Sequence, residues 1–121
     1  MPIRKTPTSS SYQASILAPL TSRTIFSAAS NTTGIQIMNG TAFELQSSSG
    51  YGHYVISTSA PSAMTDGLCV SKINSYSIGA LNGAAYRIDP DIYVPSGYGL
   101  YWISTATVSV GSFNDVSWSA A

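Results

Sequence analysis

The chain predicts an all-β fold, an antiparallel β-sandwich of jelly-roll-like type, and three observations carry that expectation. Ser96–Thr105 reads S-G-Y-G-L-Y-W-I-S-T and repeats Ser49–Thr58, S-G-Y-G-H-Y-V-I-S-T, at eight of ten positions. Ser, Thr, Tyr, Val and Ile dominate, types that suit a pleated, half-buried surface, and helix-capping signals are missing. Turn signals recur at roughly 8–12-residue spacing, which suits a sandwich or small barrel. A β-trefoil is the alternative, because the repeat length suits it, but only a weak trace of a third copy shows around Ser10–Leu17.

At 121 residues the chain is the size of one domain. Residues 1–14 carry two prolines and three consecutive serines with little to bury, and read as an extended N-terminal arm rather than a central strand. Residues 15–121 then form the single sandwich domain. Ile16-Leu17 and Thr24-Ile25-Phe26 read as short strands near a sheet margin, and Ala60–Asp66 offers the one plausible helical turn.

Residues 31–58 are the first copy of an internal repeat. Asn39-Gly40 stands between Ile35–Met38 and Thr41–Leu45, a strong hairpin signal. A three-residue loop pairing Ile37 with Phe43 and Ile35 with Leu45 segregates the faces, where a one-residue slip would mix them. The second copy, 74–105, contains Val94-Pro95-Ser96-Gly97-Tyr98, which fits a type I turn ending in a left-handed glycine. That turn would pair Val94 with Tyr98, Ile92 with Leu100 and Tyr93 with Gly99, setting Ile92, Val94, Leu100 and Trp102 inward and Tyr93 and Tyr101 outward. Copied back, it sets Phe43 opposite Val55 and Leu45 opposite His53. Each copy thus reads as a three-stranded meander, and the two meanders as an internal duplication in which each covers the other's apolar face. The offset is 43 in the early part and 47 in the later, so four residues are inserted around Asp89-Pro90-Asp91. Thr107–Val110 and then Phe113, Val116 and Trp118 close the chain as strands.

Composition narrows the function classes. Only 8% of residues are charged, against about 25% in average proteins, while Ser and Thr number 33. A neutral, hydroxyl-rich surface repels its neighbours weakly and suits a protein that stays packed against others. The five basic residues are scattered and make no stripe to track phosphates, which argues against nucleic acid. No signal-peptide pattern or membrane-length apolar run is present, so the expectation is a soluble chain made in the cytoplasm, with no membrane partner. One cysteine, Cys69, forms no intrachain disulfide, and one cysteine with one histidine cannot build a structural zinc site. Asn31-Thr32-Thr33 and Asn39-Gly40-Thr41 match glycosylation sequons, which chance supplies readily in so Ser/Thr-rich a chain.

Catalytic chemistry finds no anchor. His53 takes the place of Leu100 in the repeat and so reads as an inward, structural histidine. No G-x-S-x-G elbow marks a nucleophilic serine. Asp89 and Asp91 could share one side of an extended segment, but a calcium site needs more oxygen ligands, and aspartates around a proline are ordinary turn formers. The expectation is no enzyme, no cofactor, no metal and no catalytic residue. Aromatics supply the remaining candidates, because Tyr and Trp serve protein interfaces and sugar-stacking platforms. Trp102 and Tyr98 read as core, whereas Tyr54, Tyr93 and Tyr101 face outward or toward a second layer and are the candidate interface residues. Arg4 and Lys5 would be the electrostatic handle of an arm lying on a neighbouring subunit.

With Ser59-Ala60-Pro61, Gly67-Leu68, V-P-S-G-Y-G-L-Y at Val94–Tyr101 and the T-V-S-V strand leading to Trp118, the chain resembles the small β-sandwich structural proteins of tailed-phage virions. The resemblance covers roughly residues 31–118, and is to the capsid decoration (cement) and head-fibre types. It implies a non-enzymatic virion component, made in the host cytoplasm, that packs against the major capsid protein or another virion protein. It also implies a homo-oligomer, a trimer by preference. The alternative from another class is a carbohydrate- or receptor-binding β-module of a fibre or tail that uses the tyrosines.

Overall fold

The structure is a computed structural model that describes residues 10–15, 22–46, 52–63, 65–78, 81–88, 92–104 and 113–121, with the backbone alone for 10–15, 44–46, 73–78 and 81–84. It is all-β, with two antiparallel sheets packed against each other as a β-sandwich. The strands are β1 (Ser10–Ser15), β2 (Arg23–Phe26), β3 (Ile35–Gln46), β4 (Gly52–Ser57), β5 (Leu68–Cys69), β6 (Ser71–Ile78), β7 (Leu81–Ile88), β8 (Ile92–Val94), β9 (Gly99–Ser104) and β10 (Phe113–Ala120). One sheet runs β1-β10-β3-β7-β6, with β8 continuing β7's edge of β3; the other runs β2-β9-β4-β5. Two stacked sheets exclude the trefoil alternative. The end of the expected arm, residues 10–14, is part of β1, an edge strand on β10, where a strand with little to bury belongs.

The pairing differs from the expected meanders in two instructive ways. Asn39-Gly40 makes no hairpin, because β3 is one twelve-residue strand running through it. Its one side pairs with β10 over residues 35–43 and its other with β7 over 40–46 and β8 over 35–37, so both edges are hydrogen-bonded over most of its length. A turn of the Asn-Gly kind needs positive φ, and Gly40 does not have it. Glycine is needed there for a different reason: a β-carbon would stand 2.6 Å from Cδ1 of the buried Ile88. The local irregularity is absorbed by a bulge, with Trp118 opposite Ile37 and Ser117 opposite Asn39, leaving Met38 extra. Phe43 accordingly lies opposite Ala85 and Phe113, not Val55.

The second difference lies at Pro95–Tyr98. The expected turn is present: the Tyr98 N–H donates to the Pro95 carbonyl at 3.2 Å, and Gly97 has φ +83°. Yet the strands it joins do not pair. β8 lies on β3 in the six-stranded sheet, while β9 pairs with β2 and β4 in the other. The turn is an arch between layers. Asn31 holds it, with the side chain buried: Nδ2 donates to the carbonyls of Val94 (3.2 Å), Pro95 (2.8 Å) and Tyr98 (2.9 Å), and Oδ1 accepts from the Gly34 N–H (2.9 Å). The Asn31 carbonyl also accepts from the Gly97 N–H at 2.8 Å. An amide so occupied is no glycosylation acceptor, which disposes of that sequon.

The repeat survives in a new form. Each copy begins in the six-stranded sheet and ends in the other, with β3 then β4, and β6, β7 and β8 then β9, and the equivalent strands β3 and β7, and β4 and β9, are antiparallel neighbours. Tyr54 lies opposite Trp102, and its equivalent Tyr101 is one residue away, hence on the other face. The same holds for Phe43, opposite Ala85, with Tyr86 as its equivalent. Copies that share a sequence therefore do not share a direction.

Trp102, fully buried, is the centre of the interlayer core, with Tyr54 and Tyr86 each set edge-on 4.9 Å from it. Ile37, Ile88, Val94, Leu100 and Val116 pack around them, and Phe26 meets Trp118 across the layers at 5.0 Å. The inward placement of Val94, Leu100 and Trp102 is as the sequence pattern expects.

Candidate interaction surfaces

Of the five residues expected at an interface, three are described, and they occupy three different kinds of position. Arg4 and Lys5 lie outside the described residues, as do Asp89 and Asp91. Tyr54 is a correction: it is fully buried, because β4 turns it toward Trp102. Its hydroxyl donates to the Thr41 carbonyl and accepts from Asn114 Nδ2 at 3.1 Å, and Asn114 Oδ1 accepts from Arg23 at 3.2 Å. The chain Arg23–Asn114–Tyr54–Thr41 alternates between sheets, so it ties the layers together. Burial pushes the Tyr54 phenol above its ordinary range, only partly opposed by the Asn114 hydrogen bond.

Tyr101 is the second correction. It does point away from the interlayer core, yet it is only 3% exposed and packs with Val55 and Ile103 on the far side of the four-stranded sheet. Its hydroxyl accepts from the Ala28 N–H at 3.3 Å. His53 shares that side, since it alternates with Tyr54 and pairs with Ile103; it does not take the inward direction of Leu100. Tyr93 faces outward and is 53% exposed, with its ring against Gly34 rather than Gly99.

Among the described residues, two surfaces present apolar groups to solvent. The first is the outer face of the six-stranded sheet. Pairing aligns three rows across it: Phe113–Phe43–Ala85, Asp115–Thr41–Arg87–Lys72, and Ser119–Gln36–Tyr93. Phe113 is 42% exposed and stacks on Phe43 at 5.9 Å, while Met38 emerges from the bulge between the outer rows. Alternation fixes the direction, because Asn114 and Val116 on β10, Ala42 on β3 and Tyr86 on β7 point into the core.

The second surface is an open cleft of about 480 Å³ at one end of the sandwich, lined by Ile56, Ser57, Thr58, Gly67, Leu68, Pro95 and Tyr98. The Pro95–Tyr98 arch forms one wall. The other follows a turn in which Asp66 Oδ2 accepts from the Ser62 and Ala63 N–H groups and the Ser62 hydroxyl. Those hydrogen bonds hold the Asp66 carboxyl below its usual range. Leu68 is 63% exposed, and Tyr98, expected in the core, is a partly exposed wall residue because the arch lifts it out of the layers.

Sequence reasoning missed Phe113, Met38, Leu68 and Asp115. Phe113 was legible only through register: reading hydrophobicity alone turns Phe113 inward and Asn114 outward, the reverse of what β10 does. Among the described residues no three His, Cys, Asp or Glu side chains gather as a metal-binding group would. Compared with family models, curated proteins and solved structures, the chain matches none.

Proposed function

We propose that the chain is a non-enzymatic structural protein of a virion, a capsid decoration or cement protein that packs against a shell and against sister subunits. The observation that carries the reading is the outer face of the six-stranded sheet, where Phe113, Phe43, Met38 and Tyr93 stand on the surface of a protein with net charge zero. Apolar and aromatic groups aligned on a rigid sheet favour association, and little charge opposes it. The β-sandwich agrees with the resemblance to small phage structural proteins. Partners would be the major capsid protein and further copies of the chain; the site of action would be the virion, after synthesis in the host cytoplasm.

A second reading has its own support. Tyr98 beside the hydroxyls of Ser57 and Thr58 in an open cleft suits stacking on a sugar ring, as a carbohydrate- or receptor-binding module of a fibre would require. Co-sedimentation separates the two. The decoration reading expects the full chain to pellet with expanded phage shells, with reduced pelleting for Tyr93→Ala. If the chain stays in the supernatant and binds a glycan array in a manner lost in Tyr98→Ala, the second reading replaces the first.

A further inference from the structure

The three outward rows of the six-stranded sheet have a common asymmetry about β3. On the β10 side stand Phe113, Asp115 and Ser119; on the β7 and β8 side stand Ala85, Arg87 and Tyr93. In each row one flank complements the other, as large to small, acid to base, or small to large. Neighbouring strands are about 4.8 Å apart, so the two flanks lie roughly 10 Å apart with β3 midway.

We propose that this face is a twofold interface between two copies of the chain, its axis running along β3. A twofold axis lying in the contact plane along β3 keeps each row at its own level and exchanges left for right. Phe113 then faces the partner copy's small residue at 85, Asp115 faces the guanidinium at 87, and Ser119 leaves room for the ring at 93. Each of these flank contacts occurs twice, and Phe43, Thr41 and Gln36 on the axis meet their own copies, as an isologous interface requires. An axis set across the strands would instead lay β10 over β10 and β7 over β7, so the acid at 115 would never meet the base at 87, which rejects that orientation. Sheets packed face to face also keep their strands within about 30° of each other, and an axis along β3 permits this. The charge pair supplies orientation and the aromatic rows supply area.

The inference rests on the reading of the chain as an assembly protein, and it names pairwise association where the phage resemblance suggests a trimer. The test is sedimentation velocity with light scattering on the full chain over a concentration series. The wild type should be a dimer. Asp115→Arg and Arg87→Asp should each raise the dimer dissociation constant at least about tenfold, by setting like charges face to face. The double variant should return to within about threefold of wild type, because the swapped pair is again complementary. Ala85→Phe, which fills the seat of Phe113, should weaken the dimer at least about tenfold while leaving the thermal midpoint of the monomer within a few degrees. A monomeric or trimeric wild type, or a double swap as weak as its parts combined, overturns the interface. Shell binding is scored separately: a dimer that pellets with no shell defeats the virion reading and keeps the interface, and a monomer that does pellet does the reverse.

Discussion

Replacing Asn31 should unfasten the arch between layers, and its magnitude follows from which partners are left dry. Asn31→Ala removes one acceptor from the Gly34 N–H and two donor hydrogens shared among three carbonyls. Pro95 and Tyr98 are exposed, so water can replace the amide at their carbonyls. Val94 and Gly34 are buried, and each orphaned group there costs about 1–2 kcal/mol. The sum is about 3 kcal/mol, or roughly 12 °C in the melting midpoint for a chain of this size. Asn31→Asp sharpens the test, because a carboxylate would face three carbonyls. Its folded pKa would be raised above the unfolded value near about 4, so the variant is at its best below that pH and loses stability as pH rises toward neutrality. Urea midpoints for wild type and both variants, measured from pH 4 to 7, check this. A midpoint for Asn31→Ala corresponding to less than about 1 kcal/mol, or an Asn31→Asp variant whose deficit does not grow with pH, would refute the assignment of Asn31 as the arch's anchor.

Trp102→Ala should cost about 3–5 kcal/mol, since it empties the space between Tyr54 and Tyr86. Trp102→Phe should cost much less, because the buried indole N–H has no hydrogen-bond partner among the described residues; chemical denaturation of the pair gives the comparison. Tyr54→Phe should cost about 1–3 kcal/mol by cutting the interlayer chain at its middle. In the wild type the raised Tyr54 pKa means its contribution is complete below pH about 10 and is lost as pH rises beyond it, so one tyrosine should ionise together with unfolding in a spectrophotometric titration. Gly97→Ala should cost about 1 kcal/mol through backbone strain alone, because a β-carbon there meets open space; a loss comparable to that of Asn31→Ala would contradict this.

The sandwich class, the last strand, the Pro95–Gly97 turn and the inward set around Trp102 were legible in the chain, because each depends on local chemistry: β-propensity, alternation, or a glycine at positive φ. The pairing was not legible. A turn's residues determine its own shape, but whether the chain then returns in the same sheet or crosses to the other depends on distant anchors, here Asn31. Asn39-Gly40 misled for a related reason, since a glycine required by the approach of Ile88 looks the same in one dimension as a glycine required by a hairpin. The errors at Tyr54 and Tyr101 descend from that pairing, and the surface rows, which depend on register between β10, β3 and β7, could be read only once the register was known.

The opposed directions of the two copies bear on how such a chain can diverge after duplication. Where two repeats occupy equivalent surroundings, a change tolerated in one is tolerated in the other, and the copies can be interchanged. Here Val55 lies on the far side of its sheet and Trp102 between the layers, so the same stretch answers to two different environments at once. The eight shared positions are those at which one residue serves in both; the two that differ, His53 against Leu100 and Val55 against Trp102, are where one residue cannot. Transplanting Ser96–Thr105 over Ser49–Thr58 would thus set an indole on the wrong side of β4, although four-fifths of the graft would be unchanged.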